Sequence, residues 1–275
     1  MIGQRLRQRL TETGHSSHTI PRTAADRELA EILASADAIV NLAGEPIDQR
    51  WTEAAKKRIY DSRVDGTRRL VKALVTQSRR PPVLVSASAV GYYGSRGDQT
   101  LTESSSPGSD FLARVVVDWE DAAQSAESLG VRVIRLRLGM VLGHGGALAK
   151  LLTPFRLGVG GRLASGRQWM SWIHIDDAVN LILFAISYSA IKGAVNATAP
   201  QPVTNQEFTD RLAAVLHRPA IFPVPGFALK LLFGEMSEVL LASQRVLPTV
   251  AKSAGFSFRY PDLPTALGNL LSKGT

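Results

Sequence analysis

The sequence predicts an α/β protein built on a doubly wound parallel sheet, with a small, mostly helical lobe at its C-terminal end. Three observations carry this expectation. Short apolar runs alternate with segments of helical periodicity from the start of the chain to about residue 200. Strands of that kind are buried on both faces, which a parallel sheet covered by helices achieves. The runs also end in small, turn-forming residues: NLAG at 41–44, SAS at 86–88 and LGMVLGHGG at 138–146. Ligands of open α/β sheets bind beyond the carboxyl ends of the strands, so these three loops are expected to share one crevice. Finally, Pro219, Pro223, Pro225, Pro248, Pro261 and Pro264 break the last 75 residues into short pieces.

In chain order, Ile2, Leu6 and Leu10 recur at helical spacing in a first helix that stops near Gly14. A second strand is expected before Arg22, then a helix from Asp26 to Leu33. Ala38-Ile39-Val40 reads as a buried strand. Residues 51–78 are helical, with Ile59, Val64, Leu70, Val71 and Leu74 as the apolar face, and Pro81-Pro82 closes them. Val83-Leu84-Val85 is a strand ending at Ser86-Ala87-Ser88. A helix follows from about Asp110 to Leu129, then a strand from Val131 to Leu138 that ends in a glycine turn. Asp176 or Asp177 is placed as the N-cap of a helix beginning at Ala178. Thr204 and Glu207 have capping-box spacing, each side chain meeting a backbone N–H of the other residue, so a helix should run to about Leu216. Residues 1–200 are assigned to the sheet domain, with 155–175 contributing to the lobe, and 201–275 to the lobe itself.

Composition narrows the function classes. With 45% apolar and 20% charged residues the chain reads as globular. The absence of cysteine excludes disulfides, thiolate metal sites and cysteine nucleophiles. The longest apolar run, Leu181 to Ile186, falls far short of the ~20 residues of a membrane span. The opening MIGQRLRQRL has no apolar stretch and reads as no secretory signal. A cytoplasmic protein with no membrane partner is expected. The net charge is +8, and no acidic residue occurs between Val131 and Ile175, where Arg132, Arg135, Arg137, Lys150, Arg156, Arg162 and Arg167 all fall. Two readings of that segment stand: a field that attracts phosphate groups, or a solvated basic face. No stacking-aromatic pattern or recognition helix accompanies the charge, so no nucleic-acid partner is expected. No His/Asp/Glu cluster has metal-ligand spacing, so no metal is expected.

Seven segments carry a resemblance: NLAGEPI at 41–47, RWTEAAKKRIYDSRVDGTRRLV at 50–71, SASAVGYYG at 86–94, SDFLARVVVDWEDAA at 109–123, RLGMVLGHGGALAKLLTPFRLGVGG at 137–161, GRQWMSWIHIDD at 166–177 and NATAPQPVTNQEF at 196–208. In this order they resemble the extended short-chain dehydrogenase/reductases. More narrowly, the chain is similar over essentially its whole length to the epimerase-like family that ends in a domain of unknown function. The resemblance implies a Rossmann-like fold and a nicotinamide cofactor, NADP in preference to NAD. Arg22 would meet the 2′-phosphate, and Arg63 the cofactor phosphates. Asn41, Leu42, Ala43, Gly44 and Ser86 would let backbone approach the cofactor, and Gly139, Met140 and Val141 would line its nicotinamide end. The family opens with an apolar strand and a G-x-x-G-x-x-G turn. This chain matches only the tail of that motif, with Gly3 as its last glycine, so the sheet is expected to lack its first strand and most of its pyrophosphate cradle.

The superfamily's catalytic group is a Ser or Thr with a Tyr-x-x-x-Lys pair, in which lysine lowers the phenol pKa. Ser88 matches the serine, but Leu112 and Val116 stand where the pair should be. Tyr93, with Tyr92 beside it, either replaces the missing tyrosine or lines the pocket. His144 is a weaker acid/base candidate. His174 and Arg167 fall at the expected substrate mouth: the histidine positions a loop there in the family, and between apolar neighbours it reads more readily as a hydrogen-bonded structural residue than as a catalyst, while Arg167 is an anion clamp or rim charge. The resemblance implies hydride transfer to or from a small substrate, as in nucleotide-sugar epimerases or reductases. Alternatives are a catalytically weak or inactive NADP-binding regulator, since relatives are described as cell-division inhibitors, and a truncated chain without function. Relatives also imply a homodimer through the two long helices.

Overall fold

The computed structural model describes residues 1–272. The first half contains helices α1 (Ile2–Glu12) and α2 (Asp26–Ser35), strand β1 (Ile39–Asn41), helix α3 (Glu53–Val75), strands β2 (Val83–Ala89) and β3 (Thr100–Leu101), helix α4 (Phe111–Gln124) and strand β4 (Arg132–Leu138). Then come β5 (Met140–Leu142), α5 (Gly146–Arg156), β6 (Trp169–Met170), β7 (Trp172–His174), α6 (Ile175–Ser187), β8 (Gly193–Ala197), β9 (Val203–Thr204) and α7 (Asn205–Leu216). The chain ends with α8 (Gly226–Phe233), α9 (Ser237–Leu241), β10 (Arg245–Val246), α10 (Thr249–Ser253) and α11 (Leu263–Leu271).

Strands β1, β2, β4 and β8 form one parallel sheet in that order. Alternation along the strands makes it doubly wound. Val83, Val85, Ile134 and Leu136 pack with Leu6 of α1 and with Ala178, Ile182 and Ala185 of α6. The intervening Leu84 and Val133 pack on the other face with Leu29 and Leu33 of α2, Leu70 and Leu74 of α3, and Ala123 of α4. Helix starts follow their caps: the Thr52 hydroxyl accepts from Ala55 N–H and the Asp110 carboxylate from Ala113 N–H. An Arg5–Asp176 ion pair at 2.6 Å ties α1 to α6.

Four expectations are corrected. No strand precedes Arg22, because HSSHT at 15–19 is polar and Ile20 alone cannot bury two sheet faces; β1 is therefore an edge strand. The helix ending at Leu129 is α-helical only to Gln124, and its last turn tightens to 3-10 geometry before Gly130 at φ +79°. The glycine turn after β4 leads into a further strand, β5, paired in parallel with β7. The cap of α6 is neither aspartate but His174, whose Nδ1 accepts from Asp176 N–H at 3.1 Å, so the helix starts at Ile175. Asp177 instead accepts from the backbone N–H groups of Arg259 and Tyr260, at 2.8 Å each.

The Thr204–Glu207 capping box is formed and α7 ends at Leu216. The C-terminal segment does not stand apart from the sheet domain. Strand β10 pairs with β3, Ala251 of α10 joins the core under β8, and α11 packs against α7 and Trp172.

Candidate functional site

The carboxyl ends of β1, β2 and β4 bring three loops together. Asn41 at the end of β1 donates from Nδ2 to Thr67 Oγ1 at 2.9 Å and to Ser86 Oγ at 3.5 Å, and its Oδ1 accepts from Ala43 N–H at 3.3 Å. This pins the NLAG turn to α3 and β2. Leu42 reaches Gly3 at the start of α1, where an added Cβ would stand 3.8 Å from its Cδ1. Gly139 is a close approach: an added Cβ would lie 2.6 Å from the Ser171 carbonyl oxygen. Met140 and Val141 leave the crevice in β5 and turn toward two different cores, Val141 with the sheet and Met140 with the C-terminal elements. His144 lies in the glycine loop between β5 and α5.

At the β1 end, Arg22 donates from Nη2 to the Gly44 carbonyl oxygen at 2.7 Å. Arg63 donates to the Glu45 carbonyl oxygen at 2.9 Å, and an added Cβ on Gly44 would meet its guanidinium carbon at 3.1 Å. Glycine at 44 leaves room for the two guanidinia to close on the successive Gly44 and Glu45 carbonyl oxygens, where a Cβ would crowd that of Arg63. Burial, and then the Arg22 charge, push the Arg63 pKa down to about 10, against the pull of Glu45. The Glu45 carboxylate is 3.7 Å from both Arg22 and Arg58. One carboxylate among three guanidinia leaves an excess of two positive charges at the end of β1.

Ser88 and Tyr93 sit deeper. The Ser88 hydroxyl donates to Glu120 Oε1 at 2.5 Å, and Arg137 grips the same carboxylate in bidentate fashion, Nε to Oε1 at 2.7 Å and Nη2 to Oε2 at 2.8 Å. Arg137 also donates to the Tyr93 phenol at 3.0 Å, and that phenol donates to Asn196 Oδ1 at 2.6 Å. The guanidinium lies 3.5 Å from the Tyr92 ring centroid. All these groups except Tyr92 are buried; Ser88 is 2% exposed and Tyr93 0%. Burial pushes the Tyr93 pKa up, and the facing Arg137 only partly offsets it. For Arg137, burial acts downward, but the bonds and charge of Glu120 prevail and its pKa is raised. The Glu103 carboxylate seals the back of this network by accepting from Asn196 and Val250 N–H, at 3.1 Å each.

The other two candidates lie elsewhere. The Arg167 side chain is exposed. His174 is buried, with its ring centroid 3.8 Å from that of Tyr260, and burial lowers its pKa to about 4. Sequence reasoning passed over Glu120, Asn196 and the bidentate role of Arg137. A signal was present: Ala113, Val116, Glu120 and Ala123 fall on one helical stripe, and Arg135 and Arg137 alternate with Ile134 and Leu136. An acid on an apolar stripe facing arginines of one strand phase marks a buried ion pair.

Comparison with known proteins fits this arrangement. Residues 1–197 match the NAD dependent epimerase/dehydratase family, and residues 224–270 match a domain of unknown function, DUF1731. The chain belongs to the NAD-dependent epimerase/dehydratase family. This family member is 38% identical to the epimerase family protein YfhF of Bacillus subtilis, over 98% of this chain and 95% of YfhF. It is 43% identical to the chloroplastic SDR39U1 homolog of Arabidopsis thaliana, over 97% of this chain and 82% of that protein. The human epimerase family protein SDR39U1, solved with NADPH, superposes with a TM-score of 0.90 at 34% identity, covering 99% of this chain and 96% of that one. A nucleoside-diphosphate sugar epimerase of Corynebacterium glutamicum superposes with a TM-score of 0.80 at 33% identity, over 99% of this chain and 56% of that one.

Proposed function

We propose that this epimerase/dehydratase family chain binds NADP in preference to NAD and acts on a small substrate as an oxidoreductase of the epimerase or reductase kind. The observation that carries the reading is the charge excess where Arg22 and Arg63 close on Gly44. Mutually repelling guanidinia gathered at the Gly44–Glu45 turn are a receptor for a phosphate dianion, and the ribose hydroxyls of NAD would leave that charge unanswered. The human relative solved with NADPH supports the same choice. Gly3, Asn41, Leu42, Ala43, Ser86 and Gly139 would form the backbone surface around the cofactor. When bound, the nicotinamide supplies two-electron redox chemistry.

The chain's own contribution centres on Ser88. Its hydroxyl stands at the end of β2, oriented by a Glu120 carboxylate that Arg137 holds in place. Turned toward the crevice, that O–H would donate to a substrate carbonyl oxygen. Tyr93, the other candidate, holds Arg137 and Asn196 in register, and its raised pKa keeps it protonated at neutral pH. The reading also places the protein in the cytoplasm as a homodimer through α3 and α4.

A second reading has its own support. Leu112 and Val116 stand where a Tyr/Lys pair would be, and the Ser88 and Tyr93 hydroxyls are both committed inside the protein. That combination suits an NADP-binding regulator without turnover. NADPH consumption over a panel of aldehydes, ketones and keto sugars separates the two. Under the enzyme reading Ser88→Ala lowers kcat by about 100-fold, the usual loss for one oxyanion donor, with cofactor affinity unchanged. Full activity in Ser88→Ala removes Ser88 from the reaction, and binding without turnover on any panel member selects the regulator.

A further inference from the structure

Among the described residues, eleven large apolar side chains are strongly exposed, and eight of them fall at 157–159 or 221–233. Leu157, Ile221, Phe222, Phe227, Leu231 and Leu232 are 61 to 76% exposed. The two stretches are neighbours in space. Val224 N–H donates to the Arg162 carbonyl oxygen at 2.8 Å, Ala164 N–H to that of Val224 at 2.8 Å, and Arg218 Nε to that of Arg156 at 3.2 Å. Helix α8 follows directly, and Leu229 is its one buried residue. Apolar side chains gathered on one face in this way mark an interaction surface.

Charge and hydrogen-bonding capacity define what the face meets. No acidic residue occurs at 131–175 or at 211–234, so within these stretches the apolar residues are interspersed only with cations, the exposed Arg156, Arg162, Arg218 and Lys230, and the flanking Glu235 is paired with Lys56. A second copy is a poor occupant, because a two-fold contact would set these cations against their own equivalents. A protein partner would find few hydrogen bonds, since Pro219–Phe233 carries a single polar side chain, Lys230. An anionic bilayer surface needs none: Leu and Phe enter the acyl boundary while Arg and Lys stems reach back to the headgroups.

We propose that residues 156–164 and 217–233 form a site that docks the protein peripherally on anionic lipid membranes. The expected lack of a membrane partner rested on the lack of a spanning segment, and among the described residues no helix is long and apolar enough to cross a bilayer. Surface docking requires no span.

Flotation of the full chain with vesicles tests this. The chain is expected to float with vesicles of equal parts phosphatidylglycerol and phosphatidylcholine, and not with phosphatidylcholine alone. Raising salt from about 0.1 M to about 0.5 M should weaken binding. The triple variant Phe222→Ser, Leu231→Ser, Leu232→Ser changes only exposed side chains, and its melting temperature should match the parent. Its affinity for the anionic vesicles should fall by about 100-fold or more. Arg156→Gln with Lys230→Gln should weaken binding while leaving the apolar face intact. The proposal is overturned if the parent fails to float with anionic vesicles, or if the triple variant floats equally well. Self-association that the triple variant abolishes, without vesicle binding by the parent, would assign the face to a second copy. Equal retention of parent and triple variant on immobilised polyglutamate, without flotation, would assign it to an acidic polypeptide.

Discussion

His174 shows how one side chain can be conspicuous in the sequence and yet structural in the fold. The resemblance puts it at the substrate mouth, while its place between Ile173 and Ile175 favours a hydrogen-bonded structural residue, and in the fold its Nδ1 caps α6 and its ring lies against Tyr260. Burial holds its pKa near 4, below the unfolded value of about 6.5. Between those values the unfolded chain binds the extra proton and the folded chain does not, so this group's contribution to stability falls as pH drops through the window. His174→Asn keeps a capping acceptor and removes the titration. The stability gap between parent and variant, from urea unfolding, should narrow by about 2–3 kcal/mol between pH 7 and pH 4.5. A gap that does not change with pH would mean that His174 accepts its proton in the folded state. The Ser88–Glu120–Arg137 chain is the opposite case. Ser88 was visible in the sequence from its place after an apolar strand. Its partners, 32 and 49 positions away, became visible only once α4 lay across β4.

At the scale of elements, periodicity was enough wherever a segment's own residues decide its state. Helix α1, the centre of α3, strands β2 and β4 and the capped start of α7 all lie where their apolar spacing and caps predict. The misses have a common physical cause: the deciding partner is distant in the chain. Strand β5 exists because β7 pairs with it, and no local pattern in Met140–Leu142 announces that neighbour. Gly139 is the joint between the two sheets, because any side chain there would collide with the Ser171 backbone and Thr198. Gly139→Ala should therefore cost about 1–3 kcal/mol, as overpacking of a closed joint does. It should also weaken cofactor binding, since the crevice turn must shift. Unchanged denaturation and NADPH titration curves would show that the β4–β5 turn has room to spare.

For the molecule as a whole, the sequence was legible as a doubly wound sheet with its loops gathered at one end. The crevice followed from that topology rather than from any single motif. Less legible was how far the C-terminal segment returns to the sheet, since a two-residue strand pairing joins β10 to β3 across 145 positions, and a single side chain, Ala251, seats α10 under β8. The convergence of Arg22 and Arg63 on the Gly44–Glu45 turn was legible only in part. Each arginine was assigned to the cofactor separately, and their shared position at Gly44 is a product of the fold.

Calorimetric titration of NADPH and NADH into the parent chain and into Arg22→Ala tests NADP selection at that position. The parent is expected to bind NADPH more tightly than NADH, and Arg22→Ala to weaken NADPH by about tenfold or more, the weight of one charge-assisted contact, while NADH changes little. Equal affinities for the two cofactors in both proteins, or no binding of either by the parent, would contradict it.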